Sequence, residues 1–382
     1  MNFRTTVIFS VALMLLGIVL PFFIGDYLSP LTRHVAVPAI FVVAIVLVVV
    51  GWFRRNDVDS SATTSLDLSQ LPPPPPPPPA RLQPVVPDWK PRLLQMFKGK
   101  VDIYGGLTYF EPTIQVEGAF KLSPQQQHKA SLVAANLVRK GNDDQIQLVL
   151  GDNYEEWRPE RYNLDEKADW ARDPVTLRVN TIKYSAVKSF RADRLCVPTL
   201  SANAILVCPQ SRQLVLQRRS PEMDTYPNGV HNVGGGHQHH WPGGDSDLYA
   251  TMRREVLEEL GVQADDCENL PKAILGELDT GFIQVNYLGV EISSSNLQKM
   301  ATETKEGSNF AVSFDKLEEE LRKDPSPEEL KKDPRKEKWV PTGRAAILIW
   351  LAFGAPYPSK GREPVRFGGK TAEQLFNAIV PG

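Results

Sequence analysis

Glu255, Glu258 and Glu259 stand at i, i+3 and i+4 in the stretch Arg254-Glu255-Val256-Leu257-Glu258-Glu259-Leu260-Gly261-Val262. On a helix this spacing puts three carboxylates on one face. Like charges so placed repel, and an isolated helix gains nothing from them. A hard divalent cation reverses the sign, because carboxylate oxygens are the ligands Mg2+ prefers, with waters and substrate phosphates completing its shell. The competing reading is a solvated acidic face. The element that must carry these groups is visible around them. Leu248, Met252, Val256 or Leu257, and Leu260 supply an apolar stripe. Gly261 closes the helix, as glycine does just past a last turn.

Taken whole, the nine residues resemble the second half of the Nudix signature, Gly-x5-Glu-x7-Arg-Glu-U-x-Glu-Glu-x-Gly-U, where U is a bulky aliphatic residue. The first half departs from it. Counting back from Arg254, the signature's earlier glutamate falls on Ser246 and its glycine on His240. Asp245 and Asp247 flank the first position, and Gly234-Gly235-Gly236 lie upstream of the second. A loop lengthened by about four residues accounts for the offset, since loops tolerate insertion.

The resemblance implies an α/β fold, a Nudix-like α/β/α sandwich with a mixed sheet and a strand–loop–helix motif, over about Val175 to Pro356. It also implies hydrolysis of a nucleoside diphosphate linked to another group, with cleavage inside the pyrophosphate. Divalent metal neutralises phosphate charge and acidifies a bound water. By resemblance, Glu255, Glu258 and Glu259 hold Mg2+ or Mn2+, with Glu258 and Glu259 in the catalytic set. Arg254 makes the structural ion pair that orients the helix, and Gly261 is structural. Gly234, Gly235 and Gly236 let a loop backbone pass close to metal or phosphate. Glu303 and Glu306 occupy the stretch where many Nudix enzymes carry a further glutamate, as ligand or base. Asp245 is open to two roles, metal ligand or helix N-cap together with Ser246 or Asp247.

Other residues are read from their own chemistry. Arg218 and Arg219 are expected to clamp a phosphate through bidentate hydrogen bonds, one of the pair facing solvent. His231, His237, His239 and His240 are four of the six histidines, gathered in one stretch. They suit a transition metal or a phosphate, or else form a polar loop with His237 near substrate. Leu214 to Arg219, Thr225-Tyr226-Pro227 and Asn232 through His237 also resemble isopentenyl-diphosphate isomerases. Those enzymes need a cysteine where this chain has Gly235, and their helix usually lacks the full glutamate triplet. A third reading is a non-catalytic nucleotide-binding or scaffolding module; Ser246 supports it and the complete glutamate string opposes it.

The totals set outer bounds. A chain of 382 residues has room for one or two domains plus extras. A formal net charge of -2 and the lack of a dense basic block argue against nucleic acid as the main partner. The three cysteines, Cys196, Cys208 and Cys267, show neither disulfide nor metal spacing and suit a reducing compartment.

The amino-terminal part is a membrane anchor in composition. Residues 5–24 are about twenty residues without charge, long enough to cross a hydrocarbon core of roughly 30 Å. A second apolar run covers 36–53, so 1–55 is expected to be a two-helix transmembrane hairpin. Arg4 before the first span and Arg54-Arg55 after the second place both ends, and the catalytic domain, on the cytoplasmic side. Residues 56–87 are a proline-rich linker, and the run 72–79 would extend about 25 Å as polyproline II. It is either a ligand for a proline-recognising domain or a stiff spacer. Residues 88–173 read as an α+β extension of unassigned role, and 174–382 as the Nudix-like domain.

Overall fold

A computed structural model describes residues 82–140, 144–150, 175–193, 195–223, 225–237, 245–264, 270–323, 339–359 and 365–382. The expected hairpin and the proline run lie outside these residues, as do His239, His240 and Cys267. Among the described residues, no helix is long and apolar enough to cross a membrane.

In chain order the elements are α1 (Trp89–Met96), β1 (Val101–Thr108), β2 (Thr113–Ala119), α2 (Pro124–Arg139), β3 (Ile146–Leu150), β4 (Thr176–Lys183), α3 (Tyr184–Ala192), β5 (Leu200–Cys208), β6 (Gln213–Arg219) and β7 (Val230–His237). There follow α4 (Leu248–Leu260), β8 (Lys272–Glu277), β9 (Ile283–Glu291), α5 (Ser294–Lys299), β10 (Gly307–Ser313), α6 (Leu317–Leu321), α7 (Pro341–Ala352), β11 (Arg366–Phe367), β12 (Lys370–Thr371) and α8 (Ala372–Ile379).

A seven-stranded sheet in the order β1-β8-β9-β5-β7-β6-β10 forms the centre. It is mixed: β5 runs parallel to β9, while its other pairings are antiparallel. β5 and β9 are buried along their whole length, as middle strands covered on both faces must be. One face packs against α4, whose Leu248, Met252, Val256 and Leu260 are fully buried with Ala204, Val233 and Val285. Each such side chain contributes roughly 1.5–3 kcal/mol on leaving water. The other face is covered by α7, with α1 and α8 beside it. All residues of α7 are buried, which explains why its sequence is apolar all round.

The boundary expected at 173/174 does not divide the structure. β1, from the expected extension, pairs with β8 and forms an edge of the central sheet. β4, expected in the catalytic part, instead joins β2 in parallel and β3 in antiparallel, in a separate three-stranded sheet. α2 and α3 pack together in a third apolar cluster. A capping box of Ser123 and Gln126 with Pro124 at the first turn fixes the start of α2. From Tyr184 the chain turns helical, burying Ala186, Val187 and Phe190.

Candidate active site

α4 begins at Asp247, whose side chain accepts from the N–H of Ala250 at 2.7 Å. It ends at Gly261, with φ of 68° and its N–H donating to Leu257 O at 2.9 Å. Asp245 is thus not the cap. Its carboxylate is taken by Thr251 Oγ1 at 2.9 Å and by Arg254, through Nε at 3.0 Å and Nη2 at 3.1 Å.

The glycines expected in a loop lie instead in strand β7. Ala204 pairs with Val233 and Ala202 with Gly236, so Gly234 and Gly235 together oppose Asn203. This is a β-bulge, and Gly234 adopts φ of 69° within it. The bulge releases the N–H of Gly234 from the ladder, and it donates to Glu259 Oε2 at 2.6 Å. A Cβ on Gly236 would lie 1.8 Å from the Glu255 carboxyl, and one on Gly235 would lie 2.3 Å from Asn203 Oδ1. Glycine is what lets two carboxylates lie flat against the strand. At 235, where an isomerase would need a cysteine, a side chain would require Asn203 to shift.

The three glutamates do not share one environment. Glu255 and Glu259 are buried, 7% and 3% exposed, whereas the side chain of Glu258 is 59% exposed. Arg254 joins them from the rim: Nη1 lies 2.8 Å from Glu255 Oε1 and 3.1 Å from Glu258 Oε2. Burial would lower the Arg254 guanidinium, but Asp245, Glu255 and Glu258 outweigh it and hold it above its ordinary range. Burial pushes Glu255 up to about 7; Arg254 opposes that shift, and Glu306 and Glu258 add to it. Glu259 is also raised well above the carboxylate range, by burial first and then by Glu255 and Glu306.

Glu306, an exposed residue on the turn before β10, is near enough to this cluster for its charge to raise both Glu255 and Glu259. Surrounding protein raises its pKa, Arg219 lowers it and Glu258 raises it again. Glu303, on the other arm of that turn, is exposed and bridges to Ser308 through backbone alone. The two residues expected in one role thus separate.

The two arginines separate as well. Arg218 stacks over Phe310, 5.8 Å from the ring centre. Arg219 turns to the cluster, donating to Thr225 O at 3.0 Å and Thr225 Oγ1 at 3.2 Å. Burial lowers its pKa, while Glu306, Glu277 and Glu259 raise it. His231 lies 3.5 Å from Arg219 Nη1 and is pushed down to about 3, by burial and then by that guanidinium. It is a neutral core histidine, not a phosphate-binding cation. The backbone of His237 ends β7 opposite Ser201.

Sequence reading missed Glu277, buried at the end of β8 and pushed up to about 7 by its burial. Thr280 Oγ1 donates to it at 2.6 Å, which eases that shift. Tyr226, whose hydroxyl donates to Asp279 Oδ2 at 3.1 Å, stands beside it. Only the buried period of β8 could have pointed to Glu277, and a strand-end glutamate reads as solvent-facing.

The donor chemistry fits a hard cation. Asp245, Glu255, Glu258, Glu259 and Glu306 are five carboxyl groups set against two guanidinium groups, Arg254 and Arg219, a formal excess of three negative charges when every carboxyl is ionised. Glu259 Oε1 is buried and accepts no hydrogen bond, and a buried oxygen left so is costly without a partner. Among the described residues, no three acidic, histidine or cysteine side chains already converge on one metal-binding point. Glu258 would have to leave Arg254 to complete such a set.

Residues 197–342 match the family model described as NUDIX domain. Among solved structures, the chain is similar to the crystal structure of MutT protein from Methanosarcina mazei Go1, at 18% identity and a TM-score of 0.24, over 31% of this chain and 78% of that chain. No curated protein matches it. The matched stretch holds the carboxylates of α4 and the bulged strand beneath them, so residues 197–342 are similar to a NUDIX domain at the place where these groups gather.

Proposed function

We propose that this protein is a Mg2+- or Mn2+-dependent Nudix pyrophosphohydrolase acting on a nucleoside-diphosphate-type substrate, anchored by residues 1–55 with its catalytic domain at the cytoplasmic face. The observation that carries the enzymatic reading is the pair Glu255 and Glu259, buried together under β7 with one oxygen of Glu259 unpartnered. Glu255, Glu258 and Glu259 would hold the ion, which when bound supplies charge neutralisation and a more acidic water. Asp245 is left out of that set because Arg254 and Thr251 occupy its oxygens. Arg219 would meet a phosphate oxygen, and its charge already balances those of Glu259 and Glu306. Glu306, with its raised proton affinity, is suited to take the proton of the attacking water. The missing side chains of Gly234 and Gly236 let α4 and the Glu255 carboxyl lie close against β7.

The test is hydrolysis by purified full-length protein with Mg2+. The panel holds nucleoside diphosphate derivatives, dinucleoside polyphosphates and isoprenoid diphosphates, with Glu259→Gln as control. Phosphate-bearing products that vanish in the variant support the reading. Nucleotide binding without turnover would favour a scaffold, and a rearranged isoprenoid an isomerase. The anchor has its own test: the protein should stay with membranes through alkaline carbonate washing, and release into the supernatant would refute it.

A further inference from the structure

Asn309 has no part in the site as described so far. It lies in β10, 4% exposed. Its Nδ2 donates to two backbone carbonyls, Glu259 O at 2.8 Å and Ala301 O at 2.9 Å. The last carbonyls of a helix lack an intrahelical partner. Glu259 is in the final turn of α4, so Asn309 satisfies from another strand what the helix itself cannot. Its own N–H donates to Thr302 O at 2.8 Å, and the N–H of Ala301 donates to Leu260 O at 2.8 Å. The turn that follows is tied in turn. Thr304 donates to Gly307 O through its N–H at 2.8 Å and its hydroxyl at 3.1 Å, and the N–H of Glu306 donates to Thr304 Oγ1 at 3.3 Å.

We propose that Asn309 is a positioning residue that sets the separation between Glu259 and Glu306, locking the end of α4 to the turn that presents the second carboxylate. The proposal rests on the hydrolase reading above, in which both glutamates act. The residue type follows from the chemistry: two carbonyls at one point need two donors on one planar fork, which the asparagine amide supplies. Aspartate has the same outline but would present oxygens to oxygens.

Full-length Asn309→Asp, Asn309→Ser and Thr304→Val separate this role from simple packing. Mn2+ affinity would be read from the free-ion paramagnetic signal, kcat and KM on the best panel substrate, and folding by thermal unfolding. In folded Asn309→Asp, Mn2+ affinity should weaken by about tenfold and kcat fall by at least as much, the scale for loss of an outer-shell partner, with KM nearly unchanged. Asn309→Ser, keeping one donor, should fall between it and the wild type. Thr304→Val loosens only the turn and should lower kcat while leaving Mn2+ affinity as it was. Wild-type Mn2+ affinity and kcat in folded Asn309→Asp would overturn the proposal. If that variant does not fold, an unchanged kcat in Thr304→Val overturns it. Wild-type protein that binds Mn2+ but turns over nothing, with affinity still lost in Asn309→Asp, would sink the hydrolase reading and leave the clamp standing.

Discussion

Glu255 and Glu259 lie one helical turn apart, both directed inward, with little hydrogen bonding to support two charges. A carboxyl whose folded pKa is raised is penalised as the pH rises. The penalty is absent below the ordinary 4.5, grows through the interval and is complete above about 7 for Glu255. That interval corresponds to roughly 3 kcal/mol. Glu255→Gln should therefore stabilise the metal-free protein at pH 8 by about 2 kcal/mol, after allowing for the lost contact with Arg254. Near pH 4 the gain should vanish. Denaturant unfolding at the two pH values checks both the sign and the window. His231 works the other way: neutral when folded, it costs stability as the pH falls from 6.5 towards about 3. The glutamate string was legible because its spacing is local. The roles of Asp245, Glu303 and His231 were not, because each is decided by which neighbouring side chain or backbone group meets it in the folded chain, and residue spacing does not show that. Asp247 and not Asp245 caps the helix, and Glu306 is joined to the cluster electrostatically, with Arg219 and Glu258 shifting its carboxyl in opposite directions.

At the scale of elements, the contact that matters is α4 on the bulged strand β7. Three glycines in a row read as loop in sequence, since nothing in them signals strand period. The structure uses them as strand with one extra residue, which no local pattern announces. Gly236→Ala should push α4 away from β7, costing about 1–3 kcal/mol by overpacking together with most of the activity. Thermal unfolding and turnover would show both effects. β1 carries a second lesson. The extension is fastened to β8 by Lys272, wholly buried, whose Nζ donates to Tyr109 O at 3.2 Å and Leu270 O at 3.1 Å and lies 3.6 Å from Glu111 Oε2. A lysine at a strand start gives no hint of this. A chain beginning at 174 lacks β1, β2 and β3 and should fail to fold cooperatively, whereas one beginning at 82 should melt in a single transition. A cooperative 174–382 fragment would refute the shared-sheet account.

For the whole molecule, a mixed sheet between helical layers was foreseeable from the resemblance over about 175 to 356. Its extension by β1 was not, because a strand from a distant segment pairs by tertiary fit. On the proposed reading, the carboxylates gathered in the site would make metal a folding partner as well as a reagent. Mg2+ at a hundred times its dissociation constant should add about 2.7 kcal/mol to stability, and a chelator should remove it. The gain should be larger at pH 8 than at pH 5, where Glu255 and Glu259 already hold protons in the absence of the ion. The most direct test of the central claim is a Mn2+ titration, by free-ion paramagnetic resonance, of wild-type protein beside Glu259→Gln. Saturable binding in the wild type, weakened by roughly tenfold or more in the variant, is the predicted result; equal affinity in the two, or none in the wild type, would contradict it.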